Sequence, residues 1–241
     1  MGLDKIDFCI LYELHYNARI PLSLLAKKAH LSKQNLNYRL KKLVKEGVIT
    51  GMMSVIDVHQ LGHLTYRVYL RYKGVNREKE KEIIHYLNAH PTILWFASVS
   101  GNWDIELVFT ARNFIHFNNL FKKIREDIGN YFSKYNVSMS IVNYHLNRDY
   151  LLDKPHLEFN SNYYGFEPKD EKLDSVDTKI LVELSKNCRQ SNHEIGQKVG
   201  VSYHTIKDRI KKLEEKKIIS SHRIKIDLEK INRLHYKALL L

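Results

Sequence analysis

The strongest constraint in this sequence is an internal repeat. The segment that begins at Leu173 aligns with the segment that begins at Leu3 at a constant offset of 170 positions, and no gap is needed through Leu240. About twenty of roughly seventy positions are identical, and most of the others keep their chemical class. The chain therefore contains one structural unit twice, with a different segment between the copies. Identical pairs include Asp4/Asp174, Asp7/Asp177, Glu13/Glu183, Arg19/Arg189, Ser32/Ser202, Arg39/Arg209, Lys42/Lys212 and Asp57/Asp227.

Each copy predicts three helices, and the third helix has two chemically different sides. In the first copy Leu36, Leu40 and Leu43 recur at i, i+4 and i+7, which predicts one apolar stripe. The opposite side carries basic and amide residues, and Ser32 occupies the N-cap position. Lysine and arginine bind phosphates, and Asn, Gln and Arg can form paired hydrogen bonds with base edges. This pattern predicts a recognition helix for the major groove of DNA.

The predicted DNA-binding residues form two unequal sets. The first copy supplies Ser32, Lys33, Gln34, Asn35, Asn37, Tyr38, Arg39 and Lys42. The second copy supplies Ser202, Tyr203, His204, Thr205, Lys207, Arg209 and Lys212, with Asp208 among them. Because the residues that would face base edges differ, we expect the two helices to read different bases. The alternative is that one copy is a docking module and not a reader.

Local signals set the expected ends of these helices. Asp4 is placed to cap a first helix that runs to about Tyr16, and Ser191 with Glu194 predicts a capping box in the second copy. The short turn after the second helix predicts a positive φ at His30, where the second copy has Gly200. Residues 48–58 alternate and predict a small β-hairpin. Each copy is therefore predicted to be a winged helix-turn-helix.

The middle of the chain has a period of two and predicts the order β-α-β-β-α-β, a ferredoxin-like domain. Its helices should cover one face of the sheet, and the other face, with Tyr69, Trp95 and Tyr144, is predicted to be bare and available for an oligomer contact. The fold class is thus α+β. The predicted domains are a helix-turn-helix at 1–62, the ferredoxin-like domain at 63–151, a linker at 152–172, a second helix-turn-helix at 173–233, and a further strand at 234–241. The predicted strands are 64–72, 93–100, 103–111 and 137–146, and the predicted helices are 76–89 and 113–132.

Charge and composition narrow the classes of function. A net charge of +12 favours a polyanionic partner, nucleic acid before an anionic membrane. No apolar run approaches the ~20 residues that a membrane span needs. Two cysteines without a CxxC motif suit a reducing, cytoplasmic setting. His59 and His63 lie four residues apart, but no Cys or carboxylate completes a metal site, so solvated histidines are expected. The sequence predicts no catalytic residues, no cofactor and no enzyme.

Taken together, these motifs resemble the leucine-responsive regulator/AsnC (Lrp/AsnC) family of bacterial and archaeal transcription regulators. The resemblance is carried by LDKIDFCIL, by LSKQNLNYRLKKLVKEGVI, and by VSGNWDIELVF, which resembles the family's Gly-x-aromatic-Asp turn. It implies double-stranded DNA as partner, a homo-oligomer built through the ferredoxin-like (RAM) domain, and an amino-acid effector near Gly101, Asn102, Trp103 and Asp104. The plainer interpretation of that turn is a hairpin in which Asp104 accepts a backbone N–H.

Two features depart from the family pattern. An ordinary member has one DNA-binding and one sensing domain, whereas this chain has two DNA-binding copies. Residues 234–241 match the first strand of the middle domain, so we expect either a longer gene product or a strand that pairs with a neighbour. Two other functions stay open. Sirohaem decarboxylases resemble the family in architecture, and a DNA-organising protein without sequence preference would have a similar positive charge.

Overall fold

The computed structural model describes residues 2–145, 148–152, 162–165 and 167–233, which belong to two compact units. One unit, here the paired unit, consists of residues 1–56, 144–162 and 173–241 and contains both copies of the repeat. The other, the sheet unit, consists of residues 57–143 and 163–172. The predicted strand at 234–241 and much of the predicted linker lie outside the described residues.

The first copy forms the three predicted helices: α1 at Lys5–Tyr16, α2 at Leu22–Lys28 and α3 at Lys33–Lys45. Asp4 caps α1 by accepting hydrogen bonds from the Ile6 and Asp7 amides, and the Asp7 carboxylate accepts one from the Asp4 amide. His30 has a φ of 53°, which confirms the expected left-handed turn before α3. Ser32 caps α3 by accepting from the Asn35 amide at 3.2 Å.

A single strand, β1 at Ile49–Ile56, follows α3, so the predicted hairpin at 48–58 is wrong. The alternation of side chains was interpreted correctly as β structure. The strand's hydrogen-bonding partner, however, comes from the other copy and not from the next few residues.

The sheet unit has the predicted ferredoxin-like order. Its elements are β2 at Leu64–Tyr72, α4 at Arg77–Ala89, β3 at Ile93–Ser98, β4 at Ile105–Ala111, α5 at Phe114–Ile128 and β5 at Phe132–Ser140. The antiparallel sheet has the order β3-β4-β2-β5. Alternate residues of β2 and β4 form a core with α4 and α5 that includes Val68, Leu107, Phe109, Phe117 and Phe121.

Two predictions for this unit need correction. The helix predicted to reach residue 132 ends at Ile128, because Phe132 pairs with Tyr72 in the sheet and their rings stack 5.7 Å apart. The second sheet face is bare only in part. Trp95 and Tyr144 are 46% and 58% exposed, as predicted, whereas Tyr69 is only 6% exposed. Beside Tyr69, Glu106 is fully buried and accepts a 2.6 Å hydrogen bond from Arg67. Polar pairing along β2 and β4 thus replaces part of the expected aromatic surface.

Two short strands, β6 at Val142–His145 and β7 at Asn162–Gly165, precede the second copy. That copy forms α6 at Ser175–Lys186, α7 at Asn192–Val199, α8 at Tyr203–Glu215 and the strand β8 at Ile219–Ile226. The predicted capping box of Ser191 and Glu194 starts α7, and Gly200 has a φ of 84°. None of the described helices is long and apolar enough to cross a bilayer.

The two copies share one small sheet, and part of the second copy is buried in the core of the first. Strand β1 pairs antiparallel with β8, α1 packs against β8, and α6 packs against β1. Ile224, Ile231 and Cys188 of the second copy are buried in the same apolar cluster as Ile10 and Leu36 of the first. The two helix-turn-helix copies therefore belong to one compact unit.

Candidate nucleic-acid interface

The third helix of each copy turns its aliphatic stripe inward. Leu36 and Leu43 are at most 1% exposed and Leu40 is 9% exposed, and Ile206, Ile210 and Leu213 lie equally deep in the second copy. This arrangement confirms the predicted buried stripes, and it leaves the opposite sides of α3 and α8 at the surface of the protein.

The outward side of α3 offers amide, aromatic and cationic groups together. Tyr38 is 70% exposed. An open surface groove is lined by Lys33, Gln34, Asn37, Tyr38 and Lys41. Asn35 is exposed beside this groove, and its backbone amide is held by the N-cap serine. The groove therefore has hydrogen-bond donors and acceptors of the kind that read base edges.

The outward side of α8 has a different chemistry. Tyr203 is 47% exposed, and its ring lies edge-on to the ring of His204 with centroids 5.5 Å apart. Thr205 shares a 2.9 Å hydroxyl hydrogen bond with Ser202, so its hydroxyl is already engaged. Lys207 and Asp208 are both exposed one turn later.

The two arginines predicted to meet phosphates are held by carboxylates. The Arg39 guanidinium lies 2.8 Å from both Asp4 and Asp7. In the second copy Arg209 pairs with Asp174 and lies 3.0 Å from Asp177. Each arginine thus joins the third helix to the N-terminus of the first helix. The signal was present in the sequence, because all three residues are identical in the two copies.

These ion pairs also shift the pKa values of their members. Hydrogen bonds from the Asp7 amide and from Arg39 lower the pKa of Asp4, and the carboxylates of Asp7 and Asp4 raise the pKa of Arg39. In the second copy, hydrogen bonds from the Asp177 amide and from Arg209 lower the pKa of Asp174, and the carboxylates of Asp174 and Asp177 raise the pKa of Arg209. The lysines of the same faces differ from the arginines. Within the described part of the chain no carboxylate lies within 4.0 Å of Lys33, Lys42, Lys207 or Lys212.

The Gly101–Asp104 turn, predicted as a ligand site, is built as a hairpin between β3 and β4. Gly101 has a φ of 116°, and nothing lies within 4 Å of where its Cβ would be. Asp104 accepts a 2.7 Å hydrogen bond from the Tyr72 amide, and Arg71 donates to the Gly101 carbonyl at 2.5 Å. The Trp103 ring lies between Tyr69 and the ammonium of Lys134. Asn102 is exposed at the tip of this turn. The role of these residues in binding an effector stays a prediction.

The expectation of two solvated histidines is wrong for His59. Its side chain is fully buried, and Nδ1 lies 3.1 Å from the Asp57 carboxylate, which also accepts from the His59 amide and from Gln60. Asp57 caps the short 3₁₀ helix Val58–Gln60, and this turn draws the ring inward. Among the described residues no cluster of three or more His, Cys, Asp or Glu side chains could hold a metal ion.

Comparison with known proteins places both copies in one class. A winged helix-turn-helix DNA-binding model matches residues 3–50, and the AsnC-type helix-turn-helix domain matches residues 173–214. A helix-turn-helix transcriptional regulator of Pyrococcus horikoshii is 30% identical over 112 residues, which is 46% of this chain and 75% of that protein. The chain belongs to the Lrp/AsnC family of transcription regulators. Archaeal proteins are prominent among its relatives.

Two solved structures share the fold of this Lrp/AsnC protein, one over little more than half of the chain and the other over nearly all of it. An AsnC family regulator from Agrobacterium tumefaciens covers 58% of this chain and 90% of its own length, with a TM-score of 0.52 and 21% identity. The siroheme decarboxylase NirDL covers 92% of this chain and 65% of its own, with a TM-score of 0.58 and 16% identity. The second likeness therefore extends over both copies of the repeat and the sheet between them.

Proposed function

We propose that this regulator binds double-stranded DNA in a sequence-specific way through the outward sides of α3 and α8. One observation carries the proposal. Both third helices bury an aliphatic stripe and expose lysines that have no carboxylate partner among the described residues. An exposed, unneutralised cationic helix face suits the phosphate backbone, and the amides beside it suit base edges. We expect such a protein to act in the cytoplasm of an archaeal or bacterial cell.

Two roles are proposed for the predicted residues. Lys33, Lys42 and Lys212 are placed to neutralise phosphates, and Gln34 and Asn37 are placed to read bases. Arg39 and Arg209 are positioning residues in this proposal, because their guanidinium groups are held by two carboxylates each. In this proposal each of them fixes the third helix against the N-terminus of the first helix. They act on DNA binding indirectly.

The test is a binding titration against salt. We expect the double variant Lys33→Ala/Lys42→Ala to bind selected and random duplexes more weakly, and its plot of log K against log salt to flatten by about one unit per lost phosphate contact. The double variant Lys122→Ala/Lys123→Ala removes the same charge from exposed positions of α5 and should leave the slope unchanged. Equal affinity of the unmodified protein for selected and random duplexes would contradict sequence-specific regulation and favour a DNA-organising role.

Assembly and effector binding are a second part of the proposal. Leu94 and Trp95 of β3 are 60% and 46% exposed, which supports a homo-oligomer contact on the sheet unit. An amino-acid effector is proposed near the Gly101–Asp104 turn because of the family resemblance. Light scattering of Trp95→Glu should show a smaller particle. Calorimetric titration with a panel of amino acids should give a signal that Asn102→Ala reduces, and a silent panel would remove the effector.

One other function is favoured by a specific observation. The fold likeness to a siroheme decarboxylase extends over 92% of this chain. If the protein bound an iron tetrapyrrole, titration would shift the visible absorption of the tetrapyrrole at stoichiometric concentrations. We expect no such shift for this regulator. A saturable shift together with no duplex selectivity would replace the regulator proposal with the enzyme.

A further inference from the structure

The strand pairing within the paired unit maps onto itself when the two copies are exchanged. Met53 lies opposite Arg223, and these are equivalent positions of the repeat. Met52 pairs with Ile224 and Ser54 pairs with His222, so each pair becomes the other under the exchange. The two register shifts also correspond, because Ile49–Ile226 becomes Ile219–Ile56. Such a pattern describes a two-fold axis that passes through the Met53–Arg223 pair.

Hydrogen bonds outside the strands obey the same relation. The Ala18 amide donates to the His222 carbonyl at 2.9 Å, and the equivalent Cys188 amide donates to the Met52 carbonyl at 2.8 Å. Arg19 donates to the Cys188 carbonyl at 2.5 Å, and Arg189 donates to the Ala18 carbonyl at 2.7 Å.

The same two guanidinium groups reach a second carbonyl each, that of Gln190 for Arg19 and that of Ile20 for Arg189, both at 3.3 Å. We call these reciprocal contacts the arginine clasp. The clasp and the pairing of β1 with β8 together therefore build the relation between the copies into the fold.

Two recognition helices related by such an axis lie at equal distances from it, and a rotation by 180° carries one onto the other. A duplex that crosses the axis presents inverted half-sites to them, as a dimeric helix-turn-helix protein does with two identical subunits. Here both helices belong to one chain, and their exposed residues differ. The scaffold is therefore symmetric while its reading surface is not.

We infer that one chain of this protein reads an inverted repeat whose two halves have different base compositions. The inference rests on the proposed function. The half that meets α3 is directed to A·T pairs, because Gln34, Asn35 and Asn37 can form paired hydrogen bonds with adenine. The half that meets α8 is directed to G·C pairs, because Lys207 suits guanine O6 and N7 and Asp208 accepts from cytosine N4.

The hydroxyl of Thr205 does not enter this code, because it is engaged with the N-cap serine. The same hydrogen bond also fixes the direction of the Thr205 methyl group, which suits a thymine methyl at the edge of the G·C half. Specificity therefore comes from amide side chains on α3 and from charged side chains at the equivalent positions of α8.

The experiment is a selection of bound duplexes from random DNA by the full chain. We expect two blocks in inverted orientation, one rich in A·T and the other in G·C. Gln34→Ala should weaken selection only in the first block, and Lys207→Ala only in the second, each by roughly 5- to 150-fold at the affected base pair. These two variants change exposed residues and leave the core intact.

A graft makes the test stricter. Replacing Tyr203→Lys, His204→Gln, Thr205→Asn, Lys207→Asn and Asp208→Tyr gives α8 the reading residues of α3, and it leaves the buried Ile206, Ile210 and Leu213 in place. The selected site should then become a true palindrome with two A·T blocks. Thermal unfolding checks that the graft is folded, and the two single variants carry the test if it is not.

The outcomes separate the inference from the function on which it rests. A direct repeat, a single block, or two identical blocks with the unmodified chain would overturn the inference and leave sequence-specific binding intact. An unchanged site after a folded graft would also overturn it. No enriched duplex at all with the unmodified chain would overturn the proposed function itself.

Discussion

The two copies of the repeat place left-handed residues at the same three positions but use different amino acids there. The first copy has His30, Gly47 and Gly62, and the second has Gly200, Lys217 and Asn232, all with φ between 53° and 84°. Glycine thus stands at two of the positions in one copy and at the remaining one in the other. The fold therefore requires a left-handed backbone at all three positions, and at each position one of the two copies tolerates the strain of a non-glycine residue.

The second helices differ in a complementary way. In the first copy Pro21 precedes α2 without a side-chain cap, whereas Ser191 and Glu194 form a complete capping box at α7. One turn later the first copy has Ala26 and the second has Gly196. A Cβ at Gly196 would lie 2.7 Å from the Val201 carbonyl oxygen, so the turn before α8 is the tighter of the two.

The largest effect is expected from breaking the arginine clasp. Arg19 has a third acceptor, the Asn192 side-chain oxygen at 2.9 Å, where the equivalent position beside Arg189 is Leu22. We expect Arg19→Ala to lower the free energy of unfolding by about 2–3 kcal/mol, because hydrogen bonds from a charged donor are lost and carbonyl groups are left without them. Urea unfolding measures this value.

Urea unfolding of Arg189→Ala measures the equivalent contacts of the second copy. Its loss should be smaller than that of Arg19→Ala, because Arg189 has two acceptors and not three. In an Asn192→Leu background the two losses should become equal. Losses that are equal without this change would show that the third hydrogen bond does not contribute.

The next effect concerns the tighter turn. Alanine is normally about 1 kcal/mol better than glycine inside a helix. At Gly196 we expect the opposite, a loss of about 1–2 kcal/mol for Gly196→Ala, because the new Cβ overlaps a backbone oxygen and the turn must shift. The matched control is Ala26→Gly, which should also destabilise, by about 1 kcal/mol, for the loss of helix propensity. A stabilised Gly196→Ala variant would contradict the close approach.

A smaller effect should follow from exchanging residues at the left-handed positions. His30→Gly and Lys217→Gly should each raise the free energy of unfolding by about 0.5–1 kcal/mol, because glycine adopts positive φ without a steric penalty. Gly200→Ala should lower it by a similar amount, although nothing lies within 4 Å of the new Cβ. Thermal unfolding of the three variants measures this. The same sign for all three would show that φ does not decide the outcome.

The smallest effect concerns Glu183, and it shrinks as the pH falls. Hydrogen bonds from Lys198 and Lys186 lower its pKa from 4.5 to about 2, whereas the equivalent Glu13 has one lysine partner, Lys28. A carboxylate with a lowered folded-state pKa stabilises the fold above pH 4.5 and loses this contribution as the pH falls toward about 2. Glu183→Gln should therefore flatten the acid limb of stability measured by urea unfolding between those values. An unaltered limb would contradict the pairing.

Local patterns in the sequence predicted what depends on neighbouring residues. The capping residues Asp4, Ser32 and Ser191 and the left-handed turn at His30 depend on hydrogen bonds and sterics over three or four residues, and all are confirmed. The buried stripes of α3 and α8 follow from the helical period, and they are confirmed as well. Both helix faces that form the candidate DNA site were thus predictable.

Contacts between residues far apart along the chain were not predictable in this way. The partner of β1, the carboxylates that hold Arg39, the buried position of His59 and the filled centre of the sheet face came only from the structure. A strand edge can pair with any strand that offers the complementary amides and carbonyls, and a guanidinium can bind any carboxylate that folding brings near.

Two amphipathic third helices, and a ferredoxin-like segment between them in the chain, follow from the amino-acid sequence, because a period of 3.6 or 2 and a cap are properties of a short segment. That the two copies form one unit around a two-fold axis follows from the folded chain alone. That outcome depends on which of several equivalent strand edges and cores meet, and those choices are made by contacts about 170 residues apart.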